Sequence, residues 1–198
     1  GKVHLLLGNH EDMVLNGELR YLQDKYVDVS NLFERPFENF YSKDSVLGAW
    51  LRNKPVVVKI NNIMYMHGGI ELRAINEKLS LKEMNSIFKG SLVKSEMIAK
   101  RDSLERYLHG SMGPIWYRGY FGNSAISEIE LDLILEHFNV SKIVVGHTSQ
   151  KKVESRYNGK VIAIDTSIKN GENGEMLIIK NNNFYRGKLS GELSLMPF

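Results

Sequence analysis

Cysteine is absent from all 198 residues, which excludes disulfide bonds, thiolate zinc sites and thiol catalysis. Any metal site must therefore use oxygen and imidazole ligands, which suit manganese, iron or zinc. A hydrophobic run long enough to cross a bilayer is also missing, so we expect no membrane contact. The chain opens on Gly1 without an export signal, which leaves the compartment open with the cytoplasm favoured.

An excess of either charge is lacking as well, because 26 basic residues are interspersed with 23 acidic ones. The absence of a basic face argues against nucleic acid as a partner. Hydrophobic residues make up 42% of the chain and charged residues 25%, which is typical of a globular protein. Without repeats, linkers or heptads, residues 1–198 are expected to form a single domain.

Three short apolar segments each run into a turn that contains glycine and histidine. They are followed by Asn9-His10, by His67-Gly68-Gly69 and by Gly146-His147. One such histidine makes an ordinary loop hydrogen bond in most proteins, but the pattern occurs three times here. Strand ends of α/β folds meet at one edge, and neutral imidazole or amide oxygen binds divalent cations there. We therefore interpret Asn9, His67 and His147 as metal ligands.

The blocks Gly8-Asn9-His10-Glu11, His67-Gly68-Gly69 and Gly146-His147-Thr148 resemble, in this order, signature blocks of the calcineurin-like metallophosphoesterases. Between the second and third blocks, Gly-Pro-Ile-Trp-Tyr-Arg-Gly at residues 113–119 narrows the resemblance to the phosphoprotein-phosphatase branch. Within that branch the chain is most similar to bacterial-type, Shewanella-like phosphatases.

This resemblance implies two divalent metal ions, manganese, iron or zinc, with Asn9, His67 and His147 as non-bridging ligands of the second. It implies that His10 protonates the leaving alkoxide while a metal-bridging hydroxide attacks phosphorus. Arg118 would then clamp phosphate oxygens, as its bidentate guanidinium suits. A surface arginine stacked on the neighbouring aromatic rings is an equally supported interpretation of Arg118.

Two further blocks of that family, Asp-x-His and Gly-Asp-x-x-Asp-Arg, should lie upstream of Gly8, where only seven residues stand. They would supply the first metal site and the acidic partner of His10. Asp165 follows a β-rich run, but an aspartate that caps its own turn explains it better. We therefore expect the C-terminal part of a longer phosphatase, with at most one partial metal site and inactive alone.

The predicted fold is α/β: a metallophosphatase-like sandwich of two mixed sheets flanked by helices and lacking its N-terminal strands. A helical cap insertion is expected at about residues 71–110, either a lid or an inert solvated insertion, with His109 in a loop. Residues from 157 onward predict an antiparallel meander. Further predicted elements are a strand at Leu5–Leu7, a one-sided apolar helix at 45–52, a hairpin at 56–66 and a helix after Ser127.

The predicted activity is metal-dependent hydrolysis of a phosphomonoester on a Ser/Thr or Tyr phosphoprotein, or on a small phosphoester. A phosphodiesterase and a dinucleoside-polyphosphate hydrolase of the same superfamily are alternatives. A catalytically dead scaffold that binds a protein partner is another. Because unpaired strand edges and uncovered apolar surface favour association, we also expect the chain to self-associate.

Overall fold

A computed structural model describes residues 1–93, 95–171 and 174–198. The helices are α1 (Asn9–Leu15), α2 (Asp24–Leu32), α3 (Val46–Leu51), α4 (Arg73–Asn76), α5 (Leu81–Gly90), α6 (Ser103–His109) and α7 (Glu128–Phe138), with 3-10 helices at Phe37–Tyr41, Ser95–Lys100 and Ile168–Asn170. The strands are β1 (Val57–Ile60), β2 (Ile63–Met66), β3 (Lys142–Val145), β4 (Glu154–Arg156), β5 (Val161–Ala163), β6 (Glu175–Lys180), β7 (Asn183–Lys188) and β8 (Leu193–Leu195).

The larger sheet has five strands in the order β1-β2-β3-β5-β4. Its three central strands β2, β3 and β5 are parallel, and the two outer strands are antiparallel to their neighbours. Met66 at the end of β2 pairs with Val145 at the end of β3. The residues that follow these two strands therefore leave the sheet side by side.

Two hairpins of this sheet use turns that the sequence predicts. Asn61, between β1 and β2, adopts a left-handed conformation with φ 56°. Asn158 and Gly159, between β4 and β5, have φ of 52° and 83°. Asparagine and glycine tolerate this backbone region, so both hairpins form where turn chemistry indicates them.

Helix boundaries likewise follow their capping residues. The Ser80 hydroxyl accepts a hydrogen bond from the Glu83 amide at the start of α5, and Ser127 does the same for Glu130 at the start of α7. Asn139 ends α7 in a left-handed conformation, as predicted. None of the helices among the described residues is both long and apolar enough to cross a bilayer.

A second sheet, β6-β7-β8, is an antiparallel meander that packs on the first. Val144 and Ile162 of the larger sheet share a core cluster with Phe184 and Met196 on the smaller-sheet side. Two sheets flanked by helices are thus confirmed. The smaller sheet is antiparallel rather than mixed, and β5 belongs to the larger sheet, because it pairs in parallel with β3 instead of joining the meander.

One local prediction was wrong. Leu5–Leu7 is not a strand, because the backbone hydrogen bond that joins it to the fold among the described residues runs from Leu7 N to Pro55 O (3.0 Å), and a strand requires a ladder. The helix predicted at 45–52 forms as α3. Its apolar residues are largely solvent-exposed, with Val46 91% and Trp50 47% exposed, and Leu51 is buried.

Residues 71–110, apart from residue 94, which lies outside the described residues, form the predicted helices. Their buried side chains Met84, Phe88 and Leu108 belong to the main core, which does not fit an inert solvated insertion. The prediction that His109 lies in a loop was wrong, since it is the last residue of α6 and is buried. A lid role for this stretch stays a prediction.

Candidate functional site

Asn9, His67 and His147 come together although they are far apart in the sequence. Asn9 Oδ1 lies 2.7 Å from His67 Nε2, and that nitrogen lies 3.1 Å from His147 Nδ1. Asn9 begins α1, His67 follows β2, and His147 follows β3 by two residues. The parallel pairing of β2 and β3 therefore explains the contact between the two imidazoles.

Backbone contacts hold the two histidine turns against each other. Gly146 N donates to His67 O (2.9 Å), and His147 adopts a left-handed conformation with φ 62°. This conformation is strained for a histidine and persists only where the surroundings impose it. The strained turn directs Nδ1 of His147 toward His67.

Electrostatics keep both imidazoles neutral near pH 7. Burial lowers the pKa of His67, and burial together with the positive charge of Arg118 lowers the pKa of His147 to about 4. A neutral ring retains the lone pair that a metal ligand needs. Nε2 of His147 is buried and has no hydrogen-bond partner in the part of the chain that the structure describes.

The donor set fits a single divalent cation. Metal bonds of about 2.0–2.2 Å to nitrogen and oxygen place neighbouring ligand atoms about 3 Å apart, which matches the two measured separations. Two neutral imidazoles and one amide oxygen suit manganese, iron or zinc. Over the described ranges, no group of three or more His, Asp or Glu side chains forms a further metal site. The two ions that the resemblance implies are expected of the full-length protein, and the partial site expected in this chain stays a prediction.

His10 occupies a different environment, exposed on the outer side of α1. Its ring stacks on Tyr21 with centroids 5.2 Å apart and planes 11° apart. Beside it lies an open cavity of about 380 Å³. The aromatic residues lining this cavity with His10 are Tyr21, Tyr26, Phe37 and Tyr41. The imidazole is accessible to a bound molecule, and the cavity beside it is also lined by aliphatic and acidic residues, Glu11 and Glu18 among them.

Arg118 is exposed near the histidine pair. Its charge is among the causes that lower the pKa values of both His67 and His147, which places the guanidinium within electrostatic reach of them. Its bond to Trp116 O is long, at 3.5 Å. The cation–π contacts in the described part of the chain involve other cations, so the stacking interpretation gains no support.

Asp165 behaves as the turn cap that its sequence context predicts. Its carboxylate accepts hydrogen bonds from Ser167 N (3.0 Å) and from the Ser149 hydroxyl (3.0 Å). These local bonds occupy both oxygens. Asp165 contributes to the site only through its negative charge, which raises the pKa values of the two histidines slightly against the lowering by burial.

A buried polar cluster behind α1 was missed by sequence reasoning. His109 Nδ1 lies 2.8 Å from Asp12 Oδ1, and His109 Nε2 lies 2.9 Å from the Ser91 hydroxyl. The signal was available in Asp102 and Glu105, which form the capping box that opens α6. Recognition of that box places His109 on a helix instead of in a loop.

The chain is similar to several known proteins over most of its length. A sequence profile described as calcineurin-like phosphoesterase matches residues 1–151. The chain is 29% identical over 175 residues to Shewanella-like protein phosphatase 1 of Plasmodium berghei, which covers 84% of this chain and 48% of the relative. An uncharacterised protein of Schizosaccharomyces pombe is 28% identical over 191 residues, 91% of this chain and 55% of the relative.

Among solved structures, a cold-active protein tyrosine phosphatase aligns with a TM-score of 0.93 at 46% identity, covering 98% of this chain and 57% of that one. The cold-active enzyme of a psychrophilic Shewanella species gives the same score and identity and is covered to 59%. The chain thus spans about half the length of the relatives it matches. The expectation that it is only the C-terminal part of such a phosphatase is not borne out by these matches.

Proposed function

Because the chain belongs to the calcineurin-like phosphoesterase family, we propose that it serves metal-dependent hydrolysis of phosphomonoesters on phosphoproteins. The observation that carries this proposal is the proximity of three donor atoms. His67 Nε2 lies 2.7 Å from Asn9 Oδ1 and 3.1 Å from His147 Nδ1. A cation bound there would withdraw charge from a phosphate oxygen and stabilise the charge that grows during P–O cleavage. Phosphoprotein phosphatases among the similar proteins support the same class of substrate.

The chain's own side chains then have distinct tasks in this proposal. Asn9, His67 and His147 hold the cation, and the low pKa values of the histidines keep protons from competing with it. Exposed His10 donates a proton to the leaving oxygen, for which an imidazole suits neutral pH. Arg118, within reach of the same histidines, binds the remaining phosphate oxygens.

We further propose that the leaving group is aromatic, so that phosphotyrosine is preferred to phosphoserine and phosphothreonine. The leaving oxygen must lie next to His10, and Tyr21, Tyr26 and Phe37 are among the residues that line the cavity beside it. Aromatic rings favour offset or edge contacts with another ring. The solved structures that are 46% identical carry the name protein tyrosine phosphatase, which supports this preference.

Hydrolysis of para-nitrophenyl phosphate with Mn²⁺, measured on this chain and on the native-length protein, tests the proposal. His67→Ala should abolish both Mn²⁺ binding and turnover. His137→Ala is the matched control, since His137 is an exposed histidine that bonds to Leu79 O, away from the cluster. Loss of activity in both variants, or in neither, would contradict the assigned cation site.

Further substrates separate the alternatives. Turnover of bis(para-nitrophenyl) phosphate without turnover of the monoester would indicate a phosphodiesterase, and selective cleavage of a dinucleoside polyphosphate would indicate that hydrolase. Inactivity of the native-length protein with Mn²⁺, Fe²⁺ and Zn²⁺ on all substrates would favour a scaffold that binds a protein partner. Equal kcat/KM for phosphotyrosine and phosphoserine peptides would reject the aromatic preference alone.

A further inference from the structure

The polar cluster behind α1 consists of Asp12, His109 and Ser91, and it places an acidic and a basic side chain in the protein interior. Asp12 is 4% exposed and His109 is 7% exposed. The Asp12 carboxylate also accepts a hydrogen bond from Asn16 Nδ2 (2.7 Å), and Phe88 stacks on the imidazole with centroids 4.0 Å apart. Buried charged groups need such complete pairing, and this pairing joins α1 to α6 across 97 residues.

Helix α1 is held near Asn9 by this connection, and at its C-terminal end by Val93 N and Arg101 Nη2, which donate to Asn16 Oδ1 (3.1 and 3.0 Å). It has only seven residues, and its N-cap is Gly8, which supplies no side-chain cap. Helices this short are marginal in isolation, so tertiary contacts decide where they lie. Asp12 stands three residues after Asn9 on this helix, and its bond to His109 is therefore made within one turn of the candidate ligand.

The chain beyond His109 reaches the other two ligands. Pro114 O accepts hydrogen bonds from Gly68 N (2.7 Å) and Gly69 N (3.3 Å), directly after His67. The Trp116 ring then packs edge-on against His147 with centroids 5.5 Å apart. One short segment, residues 109–116, thus contacts helix α1, which begins with Asn9, the turn that follows His67, and the His147 ring.

We propose that His109 is a positioning residue: its Nδ1–H donates to Asp12 and thereby fixes α1 so that Asn9 Oδ1 stays beside His67 Nε2. No hydrogen bond among the described residues joins His109 to any of the three donors, so it acts through the helix. The inference rests on the proposed function in so far as the fixed donors bind a cation. The contact between Asn9 and His67 itself can be tested without any metal.

A pair of substitutions separates this role from a general contribution to folding. The side-chain amide of asparagine reaches the position of Nδ1, whereas that of glutamine reaches the position of Nε2. His109→Asn therefore keeps a donor for Asp12, and His109→Gln keeps a partner for Ser91 instead. Both variants lose the ring that stacks on Phe88, so their loss of packing is matched.

Two readouts are measured on each variant, with His137→Asn as the control. The first is Mn²⁺ affinity by calorimetry on the native-length protein. The second is the side-chain amide resonance of Asn9 in metal-free, asparagine-labelled protein. We expect His109→Gln to weaken Mn²⁺ binding about tenfold and to shift the Asn9 resonance, while His109→Asn and the control resemble the wild type.

Equal losses in the two His109 variants, or no loss in either, would overturn the positioning role while the wild type still binds Mn²⁺. Failure of the wild type to bind Mn²⁺ would refute the cation site and the proposed function. In that case an Asn9 resonance that shifts only in His109→Gln would still support the positioning of α1. The same resonance unchanged in His109→Gln would overturn it.

Discussion

The Tyr120 hydroxyl anchors the chain that leaves the His67 turn. It accepts a hydrogen bond from Ile70 N (3.0 Å) and donates one to Ile70 O (2.8 Å), and the side chain is fully buried. Burial raises the pKa of this hydroxyl, so it stays protonated and remains able to donate. A single side chain therefore satisfies both backbone groups of Ile70, three residues after the candidate ligand.

Tyr120→Phe should lower the free energy of unfolding by about 1–3 kcal/mol, because Ile70 N–H and C=O lose their partner in a buried place. Urea unfolding followed by circular dichroism measures the loss. Tyr26→Phe serves as the control, since that ring is 45% exposed and its hydroxyl can bond to water. Losses of equal size in the two variants would contradict the role of the Tyr120 hydroxyl.

At the site, the position of the two histidines at strand ends was the feature best predicted from the sequence. Glycine and histidine after two apolar segments indicated that His67 and His147 lie at strand ends, and the parallel pairing of β2 and β3 places them together. The His109 and Asp12 pair was not predictable in the same way, because it joins residues 97 positions apart and no local pattern marks their contact. The metal-ligand roles of all three donors stay predictions.

At the level of elements, the turn after β2 lies against the segment that carries Trp116. A Cβ added to Gly68 would lie 2.8 Å from Tyr117 N and 2.9 Å from Trp116 N, both of which are backbone atoms. Backbone atoms cannot move aside to relieve such a clash, whereas the end of a flexible side chain can. The close approach of these two segments therefore requires glycine.

Gly68→Ala should destabilise the protein by about 1–3 kcal/mol, the usual effect of overpacking, and weaken Mn²⁺ binding by displacing His67. Gly90→Ala is the control, since its added Cβ meets nothing within 4 Å and alanine favours the end of α5. Thermal unfolding and Mn²⁺ calorimetry on both variants measure the effect. An unchanged melting temperature in Gly68→Ala would show that the segments separate freely.

The smaller sheet is linked to the larger one through Glu175 at the start of β6. Its carboxylate binds Arg186 of β7 (Nε–Oε2 2.8 Å) and Val153 N (2.8 Å), just before β4. The hydrogen bonds from Arg186 hold the pKa of Glu175 below its usual value. A carboxyl with a lowered folded-state pKa stabilises the fold above its unfolded-state pKa, and that contribution disappears as the pH falls through the folded value.

Glu175→Gln should therefore be about 1–2 kcal/mol less stable than the wild type at pH 7, and the difference should vanish in acid. Urea unfolding at a series of pH values from 7 to 3 measures this. Glu192→Gln is the control, because the Glu192 ion pair with Lys188 is exposed and contributes little. A difference that grows toward low pH would contradict the sign of this argument.

Helices and strands could be predicted where local sequence determines their ends. The prediction failed where contacts with distant residues determine whether an element forms. Ser80, Ser127 and Asn139 bound their helices through side-chain and backbone chemistry that the sequence displays. Leu5–Leu7 has strand-like residues, yet strand formation depends on a ladder partner. The face of α3 illustrates the same limit, since helical periodicity indicates which residues align and not whether anything covers them.

For the whole molecule, large apolar side chains remain exposed at several places, and some of the most exposed lie at α2 and α3. Val46 is 91% exposed, Leu32 is 82% exposed and Phe33 is 68% exposed. Leu32 belongs to α2 and Val46 to α3. Both helices pack against the 3-10 helix Phe37–Tyr41, so the two side chains lie in the same region of the molecule. In addition, β4 is an outer strand of the larger sheet, whereas Val57 N and O on the other outer strand, β1, bond to the Asn85 side chain. Exposed apolar surface and strand edges both promote association.

We therefore predict that the chain self-associates at micromolar concentration through the α2 and α3 surface. Light scattering coupled to size exclusion should give a mass above the 22.6 kDa of one chain. Leu32→Glu with Val46→Lys should return it to a monomer, because burying either charge at an apolar contact is unfavourable. A paired substitution at the exposed Ile129 and Leu133 of α7 controls for general changes in surface polarity.

A monodisperse wild-type monomer would refute self-association. An oligomer that persists in the α2 and α3 variant would instead indicate another contact, such as pairing through the edge of β4.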